Sequence, residues 1–258
     1  MKHNYHIHTY RCHHASGTEE EYIRKAIAEG MTTLGFADHT PYPYPGGYVS
    51  RVKMGMEEMA GYFSTLLALR EKYRGTIDIK IGFEAEHYPL FFDALLAEYR
   101  RYPLDYLILA LHHVGNESVD GFNSFEKTDD AERVKKYVDA GIAAMQTGRF
   151  SIFAHPDVLY YVGDTDVYRS EMSRLILEAK RLSIPLELNM LGVRNSRHYP
   201  NPIFWEEAAR LGATAVFGLD SHRPEDVLDR NNYERSLRFA DRFGINVIDE
   251  VKLINPLF

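Results

Sequence analysis

The sequence predicts an α/β fold, a parallel barrel of seven strands wrapped by helices, and three observations carry that expectation. Short apolar or β-branched runs alternate with helical stretches along the chain, the mark of βα units on a parallel sheet. A length of 258 residues suits one barrel, read as a single domain spanning 1–258. Nearly every strand run ends in histidine, aspartate or glutamate, where a parallel barrel places its functional groups.

Taken in order, strands are expected over 5–8, 33–38, 77–84, 106–112, 151–155, 185–190 and 214–220. Thr18 to Glu21 reads as a capping box opening a helix toward Gly30. Further helical patterns cover 56–73, 90–99, 130–147, 169–182, 202–211 and 233–243. No G-x-G-x-x-G follows a strand, which counts against an open dinucleotide-binding sheet.

The bulk composition narrows the partners. A net charge of −7 argues against a long nucleic-acid partner but leaves room for a small phosphorylated substrate. No apolar run is long enough to span a bilayer and the start lacks a signal-peptide pattern, so no membrane partner is expected and a cytoplasmic location is. Cys12 is the one cysteine and has no partner for an intramolecular disulfide. The oligomeric state is not legible.

The chemistry sits where polar residues interrupt the strands. The first run ends His6-Ile7-His8, the second Asp38-His39, the third Glu84, the fourth His112-His113, the fifth His155 and the seventh Asp220-Ser221-His222. Strand side chains alternate, so His6 and His8 share a face, as do Asp220 and His222. The same alternation allows one of His112 and His113 inward, and His112 continues the inward phase. One H-x-H or D-S-H is weak evidence, and a lone His39 or His155 is usually a hydrogen-bonded core histidine. Together, so many ionisable groups at one barrel end would be very costly to bury without ions. Imidazole with carboxylate suits Zn, Mn or Fe, and two or three divalent ions are expected.

The motifs H-I-H-T, D-H, G-F-E-A-E, L-H-H, A-H-P-D and D-S-H, in this order over almost the whole chain, resemble the PHP (polymerase and histidinol phosphatase) family of metallophosphoesterases. The resemblance implies a distorted (β/α)7 TIM-like barrel with a trinuclear site. It implies that His6, His8 and Asp220 bind a first metal, with Glu84 bridging to a second that His112 and His155 complete. His14, His39 and His222 would hold a third, His14 being favoured over His13 because the family spaces this ligand six residues after H-x-H. Length, A-D-H-T-P, the insert S-R-V-K-M and M-L-G-V-R-N are most similar to the histidinol-phosphate phosphatase branch. That branch implies a phosphomonoesterase cleaving L-histidinol phosphate to L-histidinol and phosphate in histidine biosynthesis.

In that scheme a hydroxide shared by two ions near Glu84 attacks phosphorus, with Asp220 and His222 as the other catalytic candidates. Arg194, past strand six, is the leading phosphate ligand, and Arg51 with Lys53 in the insert are candidates to close over the substrate. The alternatives are a PHP-type nucleotide phosphatase or phosphodiesterase, an amidohydrolase, and a metal-binding accessory domain without catalysis. An amidohydrolase often bridges its metals with a modified lysine, whereas Glu84 stands at the corresponding strand end. An accessory domain would show gaps in the ligand set, and none is evident.

Overall fold

The computed structural model describes residues 1–118 and 121–258. Eight parallel strands form one curled sheet: β1 (His3–Asn4), β2 (Thr33–His39), β3 (Asp78–Ala85), β4 (Tyr106–Leu109), β7 (Ile152–Phe153), β8 (Leu186–Asn189), β9 (Thr214–Gly218) and β10 (Asn246–Ile248), neighbours in that order. Between β4 and β7 an antiparallel ribbon is inserted, β5 (His113–Val114) paired with β6 (Phe122–Asn123). The helices are α1 (Glu19–Ala28), α2 (Met59–Lys72), α3 (Pro89–Tyr99), α4 (Ala131–Gln146), α5 (Thr165–Leu182), α6 (Met190–Arg194), α7 (Pro202–Arg210) and α8 (Arg230–Phe243). No helix among the described residues is long and apolar enough to cross a membrane.

The TIM-like α/β barrel is as the sequence predicts, with an eighth strand added. β10 is three residues long and follows α8, pairing Asn246 with Thr214 on β9. So short a run carries no periodicity to read. Several expected strands are also shorter at their polar ends, whereas β2 and β3 run one residue further. β4 stops at Leu109 and β7 at Phe153, while β1 occupies His3–Asn4 rather than 5–8. Apart from His39, which ends β2, the candidate ligand histidines therefore lie on irregular segments past the strands, where the backbone is free to turn their rings together.

The two sides of the curl meet at the site end. Ile7 forms a parallel bridge with Ser221, and the His8 amide donates to the Ser221 carbonyl at 3.0 Å. Below, Tyr106 fills the interior and its hydroxyl donates to the carbonyls of Tyr5 (2.7 Å) and Phe36 (3.1 Å). Gly35 and Gly82 make room for that ring, because a Cβ at either would overlap it. Tyr5, Tyr106, Ile108, Ile152 and Val216 close the interior with Val251 of the C-terminal segment. That end is packed, so function is confined to the other.

Local signals behave as expected at helix starts. Thr18 and Glu21 form the reciprocal capping box. Asp130, Asp164, Asn201 and Asp229 cap α4, α5, α7 and α8.

Candidate active site

The ends of β1, β2, β4 and β7 converge on Glu84. It lies near the end of β3, opposite His39 in the β2–β3 register. Its Oε1 is 2.8 Å from His155 Nε2, 3.3 Å from His112 Nε2 and 3.5 Å from His6 Nε2. Its Oε2 is 2.8 Å from His39 Nδ1 and 3.6 Å from His8 Nε2. The carboxylate is 1% exposed, so five imidazoles surround one buried anion.

Period-two alternation explains the histidine pair. Ile7 turns into the core while His6 and His8 turn to the cluster, their Nε2 atoms 3.1 Å apart. Asp220 Oδ1 is 3.1 Å from His8 Nε2 and 3.7 Å from His6 Nε2. His155 and Asp220 both have positive φ, 30° and 46°, a conformation few non-glycine residues adopt. Sharp turns after β7 and β9 thus aim these side chains inward.

All nine residues read as metal ligands come together. Potential ligand atoms lie within 4.8 Å of one another in the groups His6–His8–Glu84, His6–His155–Asp220, His39–Glu84–His112 and His14–His39–His222. His14 and His222 place their Nε2 atoms 2.9 Å apart. His14 Nδ1 donates to the Cys12 carbonyl at 2.6 Å, which leaves Nε2 as the nitrogen able to ligate an ion. His13 is exposed and outside every group. His113 sits on β5 at the cavity wall, outside the cluster. Cys12 is buried, its thiol grouped with His8 and His222, and burial pushes its pKa far up.

The electrostatics of the cluster favour positive charge among its carboxylates. Burial disfavours charge on His6, yet Glu187, Asp220 and Glu84 hold its pKa well above the usual value. Burial likewise opposes the carboxylates around His8 and His112, which still raise these histidines to about 9 and about 10. Glu84 and Asp220 are held well below the carboxylate range by surrounding histidines, against burial. Burial pushes His39 down to about 4 and lowers His222 strongly. The buried carboxylates thus favour positive charge at their centre, which bound cations would supply. Buried Glu84 Oε2, Asp220 Oδ1 and His39 Nδ1 have close neighbours in the cluster but no well-aligned hydrogen bond among the described residues. Such a mixed nitrogen and oxygen donor set fits divalent first-row ions.

A second ring of side chains orients the first. His6 Nδ1 bonds to Glu187 Oε1 at 2.6 Å. Glu187 Oε2 accepts from the His155 amide at 3.0 Å and from Asn189 Nδ2 at 2.9 Å, and the same amide group reaches Asp220 Oδ2 at 3.0 Å. Asp38 accepts from the Thr9 and His39 amides and lies 3.4 Å from His8 Nδ1. His112 Nδ1 bonds to Glu86 Oε1 at 3.0 Å.

The cluster floors a cavity of about 420 Å³, whose walls include Lys53, Asn123, Phe125, Arg197 and Tyr199. Of the residues expected to meet substrate, Lys53 lines this cavity, but Arg51 and Arg194 do not. Asn189 caps the short helix α6, which turns Arg194 away toward the Asp220 carbonyl and Asp226 Oδ2, each 3.5 Å distant. Arg197, three residues on, comes out at the cavity instead. Lys53 is buried, its ammonium 3.1 Å from Glu86 Oε1 and 2.6 Å from Glu117 Oε2. The insert is thereby fastened beside the mouth, with Arg51 facing solvent.

Comparisons with known proteins agree with this fold. The PHP domain model matches residues 4–190. A protein of Deinococcus radiodurans named "Probable histidinol-phosphatase" is 28% identical over 92% of this chain and 89% of its own. The histidinol-phosphatase of Bacillus subtilis is 24% identical over 88% of this chain and 96% of its own. The crystal structure of the Lactococcus lactis histidinol phosphate phosphatase, complexed with zinc, L-histidinol and phosphate, has the same fold. It superposes with a TM-score of 0.73 at 20% identity, covering 96% of this chain and 95% of that one. On the match over 4–190 and the barrel that carries it, the chain belongs to the PHP domain family.

Proposed function

We propose that this protein is a metal-dependent phosphomonoesterase that hydrolyses L-histidinol phosphate to L-histidinol and phosphate, a step of histidine biosynthesis. The observation that carries the reading is Glu84, one buried carboxylate within 3.6 Å of five imidazoles at the cavity floor. Full-length similarity to proteins named histidinol-phosphatases supports the substrate. The zinc, L-histidinol and phosphate of the Lactococcus lactis structure support both substrate and metal.

Two or three divalent ions (Zn, Mn or Fe) would be held by His6, His8, His14, His39, Glu84, His112, His155, Asp220 and His222. Bound there, they would supply Lewis-acid charge for the phosphate oxygens and lower the pKa of a water toward neutrality. Arg197 would bind phosphate oxygens at the wall, its planar guanidinium matching two of them at once. The departing alkoxide would take its proton from water, because Asp220 is held ionised and His222, its Nδ1 3.4 Å from Asp220 Oδ1, is held neutral. Phe125 and Tyr199 present apolar surface that excludes water from the reacting ester.

The test is phosphate release from L-histidinol phosphate by protein loaded with Mn²⁺ or Zn²⁺, beside nucleotides, sugar phosphates and a small diester. Strong preference for L-histidinol phosphate, abolished by chelator, is expected. Faster turnover of a nucleotide or diester would overturn the substrate while leaving the metal site.

A further inference from the structure

We propose that the groove between α8 and the segment following α6 is a second binding site, for a small molecule carrying phosphate. The groove has a volume of about 470 Å³ and is lined by Arg197, Arg235, Arg238 and Arg242, with Ser196 and Phe239 among its other walls. That volume suits a small metabolite. No aspartate or glutamate lines it. This is notable in a chain of net charge −7.

The sequence builds the stripe. Asn232, Ser236 and Ala240 form the buried face of α8, and Arg235, Arg238 and Arg242, at spacings of three and four, fall side by side next to it. Like charges so placed repel and need a counter-charge. Many arginines elsewhere have one: Arg24 pairs with Glu20, Arg70 with Asp105, Arg174 with Asp139 and Arg181 with Glu178.

The groove arginines are partnered differently. Arg235 bonds to neutral Asn232 Oδ1 at 2.9 Å, and Arg197 to the Tyr199 hydroxyl at 2.8 Å. Arg242 lies over the Phe243 ring, 5.3 Å from its centroid. Only Arg238 has a carboxylate near, Glu234 at 3.6 Å, both well exposed. Four guanidinium groups around one concavity, three without a carboxylate among the described residues, match the several charged oxygens of a phosphate.

This site is separate from the metal cluster. Arg197 and Tyr199 form the shared wall, bordering the catalytic cavity on one side and the groove on the other. The anion is therefore either the phosphate of the enzyme's own reaction or that of an unrelated phosphorylated metabolite.

The experiment is calorimetric titration of the full chain, stripped of metal by chelator, with pyrophosphate. Saturable binding of one equivalent is expected, weakened by added salt. It should fall at least about tenfold in Arg235→Gln/Arg238→Gln/Arg242→Gln, and measurably in Arg238→Glu alone, with unchanged thermal unfolding. Competition by inorganic phosphate would assign the groove to the reaction's own anion; persistence of pyrophosphate binding in its presence would assign it to a phosphorylated metabolite. Absence of saturable binding to the wild type overturns the proposal. So does equal binding by the folded triple variant, which would place the anion in the catalytic cavity.

Discussion

Glu187 accepts from His6 Nδ1 at 2.6 Å, from a strand that offers no candidate metal ligand of its own. The bond fixes the tautomer that leaves His6 Nε2 facing Glu84 and Asp220. Glu187→Gln keeps an acceptor but removes the charge, and Glu187→Ala removes both. Metal affinity is expected to fall roughly 10- to 100-fold in the alanine variant and less in the glutamine variant. Metal content after dialysis at controlled free Zn²⁺ measures this. Wild-type occupancy in Glu187→Ala would show that the contact does not orient His6.

The same carboxylate explains a glycine. A Cβ at Gly218 on β9 would overlap the Glu187 side chain. Gly218→Ala should therefore displace Glu187 and reproduce the metal loss of its removal, although residue 218 touches no candidate ligand. It should also destabilise the fold by about 1–3 kcal/mol through overpacking. Thermal unfolding of the metal-free variant separates the two effects, and an alanine variant with normal stability and metal content defeats the argument.

Lys53 tests a contact with substrate against a structural role. Its buried ammonium sits between Glu86 and Glu117, and Glu86 in turn holds His112 Nδ1. Lys53→Met would leave two carboxylates facing each other, at a cost of about 3–5 kcal/mol near pH 7. In the wild type, burial raises the Glu117 pKa but Lys53 outweighs it, so the net shift is downward. This contribution to stability is present above the unfolded value, about 4.3, and lost as pH falls through the depressed one. The variant's deficit should shrink accordingly below about pH 5. Unfolding by urea at a series of pH values reads this out. A Lys53→Met protein of full stability and raised KM would instead make Lys53 a substrate ligand.

Much of this site is legible because metal ligands interrupt strands that should be apolar. His6, His8, Asp38, His39, Glu84 and His155 stand out against Ile7, Phe36, Ile81 and Phe153, residues that only packing requires. Glu187 and Asn189 carry the same signal, two polar side chains two residues apart in the buried strand L-E-L-N, but as orienting groups they lack a ligand motif. Arg194 is the sequence's leading phosphate ligand because it lies just past a strand that ends at the same rim without a metal ligand of its own. A five-residue helix there rotates the choice, and nothing in M-L-G-V-R announces so short a helix. The β5–β6 ribbon and β10 are missed for a related reason. Two or three residues give no period, and their pairing is decided by partners far away in sequence.

Protons and metal ions compete for the same ring nitrogens, and the histidines fix the direction of that competition. In the ion-free protein, burial is outweighed by carboxylates at His8, raised to about 9, and at His112, raised to about 10. Both pKa values lie above the unfolded value near 6.5. Their stabilisation of the ion-free fold is thus fully present below about pH 6.5 and is lost as pH rises through about 9 to 10. Ion binding must expel those protons, so affinity should rise with pH across the same window, about tenfold per pH unit for each proton displaced. Calorimetry of Zn²⁺ binding near pH 7.5 in two buffers of different ionisation heat should report release of more than one proton. The upward shift in melting temperature on adding metal should grow from about pH 6.5 to 9. Binding without proton release would mean that neutral rings already face the carboxylates, and would remove the charge argument for the cluster.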